Sequence, residues 1–173
     1  MKIFGSILLS FFCFLFLVVS VFAISFPKPA GYVNDFAQLY SVSFKNELEN
    51  SLSNFEKETG TEIAVTTVKN LEGNDIEGYA VKLFENWKIG KKGEDNGLLL
   101  LISKEDRKIK IEVGYGLEPY ITDGRAGEII RNLIAPEFKK DNYEGGTLAA
   151  VVQLKKYISD KDIAPADSVS KSK

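Results

Sequence analysis

The stretch Gly97-Leu98-Leu99-Leu100-Leu101-Ile102-Ser103, followed after a short polar turn by Lys108-Ile109-Lys110-Ile111-Glu112-Val113, decides the fold. Leu98 to Ile102 is a continuous apolar run, the pattern of a central strand covered on both faces. Lys108 to Val113 alternates strictly, with Ile109, Ile111 and Val113 inward and Lys108, Lys110 and Glu112 outward. That is a half-exposed strand. The polar turn Ser103 to Arg107 joins the two as a hairpin.

Working outward from this hairpin, Glu62 to Val68 is β-branched and apolar and reads as another strand. Between them, Ile76, Tyr79, Ala80, Leu83, Phe84 and Trp87 recur at helical spacing, with Asn74 or Asp75 as N-cap. Ahead lies a helix over Leu39 to Glu58, carrying Phe44, Leu48, Leu52 and Phe55 and stopped by Gly60. Ile24 to Gly31 contains two prolines and reads as an extended lead-in. Beyond the hairpin, Gly114 to Thr122 is a loop. A third helix runs from about Gly124 to Ala135 and stops at Pro136. A fourth runs from about Tyr143 to Ile158, with Leu148, Val151, Val152 and Tyr157 expected in the core. Strand–helix–strand units favour parallel, right-handed crossovers. The expectation is an α/β fold, a small mixed sheet with helices on both faces.

At the N-terminus, Lys2 precedes an apolar run from Ile7 to Ala23, and Val21-Phe22-Ala23 suits a cleavage site. Residues 1–23 therefore read as a signal peptide of an exported protein, periplasmic or secreted. Uncleaved, the run approaches the length of a membrane anchor. Cys13, the single cysteine, lies inside this segment, which leaves the rest without disulfide or thiol chemistry. Residues 159–173 read as a disordered polar tail with no C-terminal membrane helix.

The chain contains no histidine. Ser-His-Asp and Cys-His catalysis and zinc sites built from Cys and His are excluded. Carboxylates, Lys, Arg, Tyr, hydroxyls and backbone groups remain, a set that suits hard cations. The formal net charge of −2, with signs interspersed, argues against nucleic acid as a partner.

The hairpin also locates a candidate site. With its turn near Glu105, Gly97 faces Val113 and Asp95 faces Tyr115. Glu94 to Gly97 then lies beside Gly114 to Glu118, and Asp123 follows. Asp95, Asn96, Glu118 and Asp123 can converge at one end of the sheet, as a calcium or magnesium site requires. Each has a plain structural role open to it as well. Asp95-Asn96-Gly97 can be a turn, Asp123 the N-cap of the third helix, and Glu118 solvated surface.

Four segments resemble the TPM domain in order and spacing. They are Tyr32-Val33-Asn34-Asp35-Phe36-Ala37, Thr59 to Val65, Trp87 to Gly97, and Asp106 to Glu118. The likeness covers about residues 32–158. The family is named for a thylakoid-lumen phosphatase-like protein, a photosystem II repair protein and a modulator of acetylcholine receptors. The resemblance implies a three-layer α/β/α sandwich with a Rossmann-like look, outside the cytoplasm. It also implies calcium binding through an acidic cluster in some members, acid phosphatase activity in a plant member, and accessory or interaction roles in others. The matching acidic positions here are Asp35, Asp95, Glu118 and Asp123, although a simple topology puts Asp35 at the far end of the sheet. The expectation is a calcium-binding accessory or interaction module of the cell envelope, with magnesium as the alternative ion and an envelope or membrane protein as partner. A metal-assisted acid phosphatase is the alternative.

Overall fold

A computed structural model describes residues 26–160; the signal segment and residues 161–173 lie outside the described residues. Four strands form one sheet in chain order: β1 (Val33–Asp35), β2 (Glu62–Val68), β3 (Gly97–Ser103) and β4 (Lys108–Val113). β1, β2 and β3 are parallel, and β4 returns antiparallel to β3. β1 is a strand that the sequence pattern does not announce. It has only three residues, and pairing with Val65, Thr66 and Thr67 of β2 is what makes it one. The hairpin register differs by one residue from the expected one: Leu98 faces Val113, so Gly97 is opposite Gly114.

α1 (Val42–Thr59) and α2 (Ile76–Trp87) are the crossovers. α1 starts later than its apolar pattern suggests. The Ser41 side chain accepts from the Phe44 amide at 3.2 Å and caps it, while residues 36–40 form the turn out of β1. Gly60 ends α1 with φ of 78°, a left-handed conformation that favours glycine. Asp75 caps α2 by accepting from the Gly78 amide at 2.6 Å.

α1 buries Leu48, Leu52 and Phe55 against Ile63, Val65, Leu98 and Leu100 on one face of the sheet. α2 buries Ile76, Tyr79, Ala80 and Leu83 against Ala64, Leu99 and Leu101 on the other. Since β1, β2 and β3 stand side by side in chain order while their helices cover opposite faces, the two crossovers have opposite hands. One of them departs from the right-handed preference. Leu98 to Leu101 are fully buried, and each such side chain contributes about 1.5–3 kcal/mol over exposure.

The third helical segment does not stop at Pro136. α3 (Asp123–Ile129) passes through a π-turn at Ile130–Ile134 into the short α4 (Ala135–Phe138). Proline lacks an N–H and presses on the carbonyl four residues back. The wider turn, in which the Ala135 amide reaches the Ile130 carbonyl, lets the chain continue as a helix through it. α5 (Tyr143–Ser159) packs on the same face as α1. Its buried side is Thr147, Ala150, Val151, Leu154 and Ile158; of the four residues expected in the core, Val151 is buried and Tyr157 is half-buried against the same cluster, while two face outward. Leu148 and Val152 are 49% and 58% exposed. The Tyr40 hydroxyl and Thr147 Oγ1, 2.9 Å apart in the core, hold α5 at that rotation. Among the described residues no helix is long and apolar enough to cross a membrane. The result is an α/β fold with α2 on one side of a mixed sheet and the remaining helices on the other.

Candidate functional site at the hairpin end of the sheet

Beyond the last ladder pair, the two arms of the hairpin stay in contact. The Gly114 amide donates to the Gly97 carbonyl at 2.9 Å, and the Gly116 amide to the Asp95 carbonyl at 3.0 Å. A Cβ on Gly114 would collide with the Asp95 carbonyl oxygen, and one on Gly116 with that of Glu94. Both positions need glycine because backbone meets backbone there. The expected neighbourhood of Glu94–Gly97 and Gly114–Glu118 is therefore present, one residue out of the expected register.

Leu117 and Ile121, both buried, pin the following loop to the core. Thr122, not Asp123, caps α3, accepting from the Arg125 amide at 3.3 Å. Asp123 stands in the first turn of that helix. The loop folds back toward β4 and leaves an open cleft of about 570 Å³, lined by Lys110 and Glu112 of β4 and by Tyr115, Glu118 and Asp123. Tyr115 is 79% exposed.

Of the five predicted residues, Glu118 and Asp123 line this cleft. Asp95 is exposed in the adjoining turn at φ 47°, a left-handed conformation that Asp tolerates better than most residues. Asn96 is committed to the framework. Its Oδ1 accepts from the Lys91 amide at 2.9 Å, and its Nδ2 donates to the Gly60 carbonyl and to Glu94 Oε2, both at 2.8 Å. It thereby ties the end of α1 to the loop before β3.

Asp35 is at the opposite end of the sheet. It pairs with Thr67, whose neighbour on β3 is Ile102, whereas Gly97 pairs with Glu62. Five residues of strand separate the two ends, roughly 17 Å. Its carboxylate accepts from the Leu39 and Tyr40 amides at 2.9 and 3.1 Å and from the Thr67 hydroxyl at 2.5 Å. Asp35 thus shapes the turn from β1 into α1.

Glu112 is the residue the sequence reading missed. The alternation sets it outward as ordinary surface, and nothing local marks it otherwise. Burial pushes its carboxyl above the usual range; Lys110, with Nζ 3.6 Å from Glu112 Oε2, opposes the rise, and the charge of Asp123 adds to it. Arg125 has other work: its Nη1 donates to the Tyr120 carbonyl at 2.6 Å, and its guanidinium lies over the Tyr157 ring at 4.9 Å. Among the described residues, no three acidic side chains form a ready-made metal cage. What the arrangement offers is an open cleft with carboxylates on two sides.

The TPM domain family matches residues 33–157. No curated protein matches the chain. Among solved structures, the chain is similar to the N-terminal domain of a protein from P. gingivalis, with 28% identity and a TM-score of 0.70 over 78% of this chain and 85% of that one. It shares its fold with the N-terminal domain of the cg2496 protein from Corynebacterium glutamicum, at 18% identity and a TM-score of 0.60 over 80% and 87% of the two chains. The BA42 protein of the psychrophilic bacterium Bizionia argentinensis has the fold as well, at 21% identity and a TM-score of 0.59 over 73% and 89%. With the segments that resemble the family, the α/β fold and the match over residues 33–157 in agreement, this chain belongs to the TPM domain family.

Proposed function

We propose that this is an exported accessory or interaction module of the cell envelope that takes a divalent cation, calcium first and magnesium second, in the cleft at the hairpin end. The observation that carries this reading is that Glu112, Glu118 and Asp123 line one open cleft. Hard cations seek carboxylate oxygens, and calcium tolerates irregular geometry and retained water. With few protein ligands and no closed cage, the ion keeps several waters. Affinity then falls in the weak range of extracellular modules, with Kd on the order of 10⁻⁴–10⁻³ M. Asp95, in the adjoining turn, is a candidate further ligand. Asn96 and Asp35 are left out of the binding set because their polar atoms hold the framework.

The phosphatase alternative gains less. The cleft sets three carboxylates against one lysine, Lys110, which repels a phosphoester unless a metal is bound first, and Arg125, two residues after Asp123, is occupied by Tyr120 and Tyr157.

The test is a calcium and magnesium titration by calorimetry of the wild type beside Glu118→Gln and Asp123→Asn. Saturable binding in the wild type, weakened about tenfold or more in both variants, is the expected result. Absence of saturable binding in the wild type at millimolar ion removes the proposal.

A further inference from the structure

β4 is an edge strand of the sheet, and among the described residues no strand pairs with its outer side. The Gly114 amide bonds to the Gly97 carbonyl directly opposite it, which fixes the phase of the β3–β4 ladder. In an antiparallel ladder, bonded and non-bonded pairs alternate. Lys108, Lys110 and Glu112 therefore turn their backbone groups toward β3, and Ile109, Ile111 and Val113 turn theirs outward. Among the described residues, no hydrogen bond reaches the amides of those three. Clefts of about 570 and 450 Å³ adjoin the strand, one around Lys110 to Val113, the cleft that Glu118 and Asp123 also line, and one at Ile109.

The sequence of this edge is complementary to itself. When two copies of β4 run antiparallel with Ile111 opposite Ile111, Ile109 meets Val113 of the other copy. These are the residues with outward backbone groups, so every pair exchanges both N–H···O bonds. Their side chains lie together on the apolar face of the sheet. On the other face Lys110 meets Glu112 of the second copy, and Glu112 meets its Lys110. Opposite charges directly across a strand pair stabilise it, and like charges destabilise it. Both side chains are about three-quarters covered, at 27% and 22% exposure, so the charges are only partly screened. Shifting one copy by two residues centres the pair on Lys110 or Glu112 and sets Lys110 against Lys110, or Glu112 against Glu112, directly across the axis.

We propose that β4 is a self-association edge: a second copy of this chain adds through β4 about a two-fold axis at Ile111, continuing the sheet through both molecules. An edge strand left open invites such pairing. Here the paired charges select one register and one partner. This inference does not rest on the cation reading and is tested with a chelator present.

The test uses the full chain and its charge variants. In sedimentation velocity over a range of concentration, the wild type passes from monomer to dimer. Lys110→Glu and Glu112→Lys each weaken dimerisation about tenfold or more, because each sets like charges across the axis twice. An equimolar mixture of the two variants associates again. In the mixed dimer one chain is acidic at both positions 110 and 112 and the other is basic at both, so each cross-axis pair is once more of opposite sign. The chain carrying both exchanges dimerises like the wild type. Association through any other surface would not follow this pattern. Amide exchange supplies a readout independent of mass. Ile109, Ile111 and Val113 gain protection as concentration rises, while Lys110 and Glu112, bonded to β3, are protected throughout. A mixture no more associated than its components, or edge amides whose exchange ignores concentration, overturns the proposal and leaves the edge to a different occupant.

Discussion

The Gly116 amide donates to the Asp95 carbonyl at 3.0 Å, two residues past the ladder pair formed by Gly114 and Gly97. The hairpin thus remains zipped after its strands end, and it carries the acidic loops with it. Because the contact is backbone on backbone, its tolerance for a side chain is nearly nil.

Gly116→Ala and Gly114→Ala are expected to destabilise the domain by about 1–3 kcal/mol each, since a new Cβ must push carbonyls of residues 94 and 95 aside. Gly124→Ala is the control. It sits in the first turn of α3 with its nearest neighbour, Thr122 Oγ1, at 3.7 Å from the added carbon. Alanine there is neutral or gains up to about 1 kcal/mol. Denaturant midpoints compare the three. Equal midpoints for Gly116→Ala and wild type would show that the arms are not in contact.

Asp35 and Asp123 separate a framework carboxylate from a cleft carboxylate. Asp35→Ala strands the Leu39 and Tyr40 amides and the Thr67 hydroxyl, a loss of about 1–3 kcal/mol. Calcium affinity stays unchanged. Asp123→Asn does the reverse: stability moves little and calcium affinity falls. Thermal unfolding and calorimetry on both variants give the four values needed. Weaker calcium binding in Asp35→Ala at full folding would return Asp35 to the site.

Glu62 links charge to pH. Burial raises its carboxyl above the usual range; the Gly90 amide, donating to Glu62 Oε2 at 2.7 Å, pulls it down, and Glu56 raises it. A carboxylate whose folded pKa lies above its unfolded one favours folding in acid, and that contribution is lost as pH rises through the folded pKa. Glu62→Gln keeps an acceptor for Gly90 and carries no charge. The variant is therefore expected to melt above the wild type at pH 7, with the difference closing toward about pH 4. A lower melting temperature at pH 7 would mean that the Gly90 bond outweighs the cost of burial.

Leu154 and Val152 test the rotation of α5. Leu154→Ala opens a cavity at a fully buried position and costs about 2–5 kcal/mol. Val152→Ala, on the exposed side, stays within about 0.5 kcal/mol of the wild type. Chemical denaturation of the two distinguishes the packed face from its opposite. Comparable losses would contradict the observed rotation.

The legible parts of this chain are those whose signal is local. Leu98 to Ile102 and the alternation over Lys108 to Val113 announce strands, and the spacing from Ile76 to Trp87 announces a helix. In each case a repeat within one element matches the period of its backbone. The family segments add the fold, and the glycines at 114 and 116 mark a close backbone approach.

Other features depend on what a residue meets across the fold. β1 exists because β2 is there to bond it. The π-turn before Pro136 is a compromise between a helix-breaking residue and the burial of Ile129 and Ile134. Leu148 and Val152 look as apolar as Val151 and Leu154, and the packing of α5 against the core, with Thr147 on Tyr40 and Ala150 and Ile158 buried beside it, sets which pair faces inward. Asp35 and Asp123 are alike as residues, yet parallel strand pairing sends one to each end of the sheet. Glu112 joins Glu118 and Asp123 only because the loop from Gly114 to Thr122 folds back beside β4. The sequence by itself determined the strands other than β1, most of the helices, the family and the absence of histidine chemistry. Tertiary structure decided which carboxylates share a cleft and which strand forms the edge, because side-chain period is a property of one segment whereas proximity is a property of two.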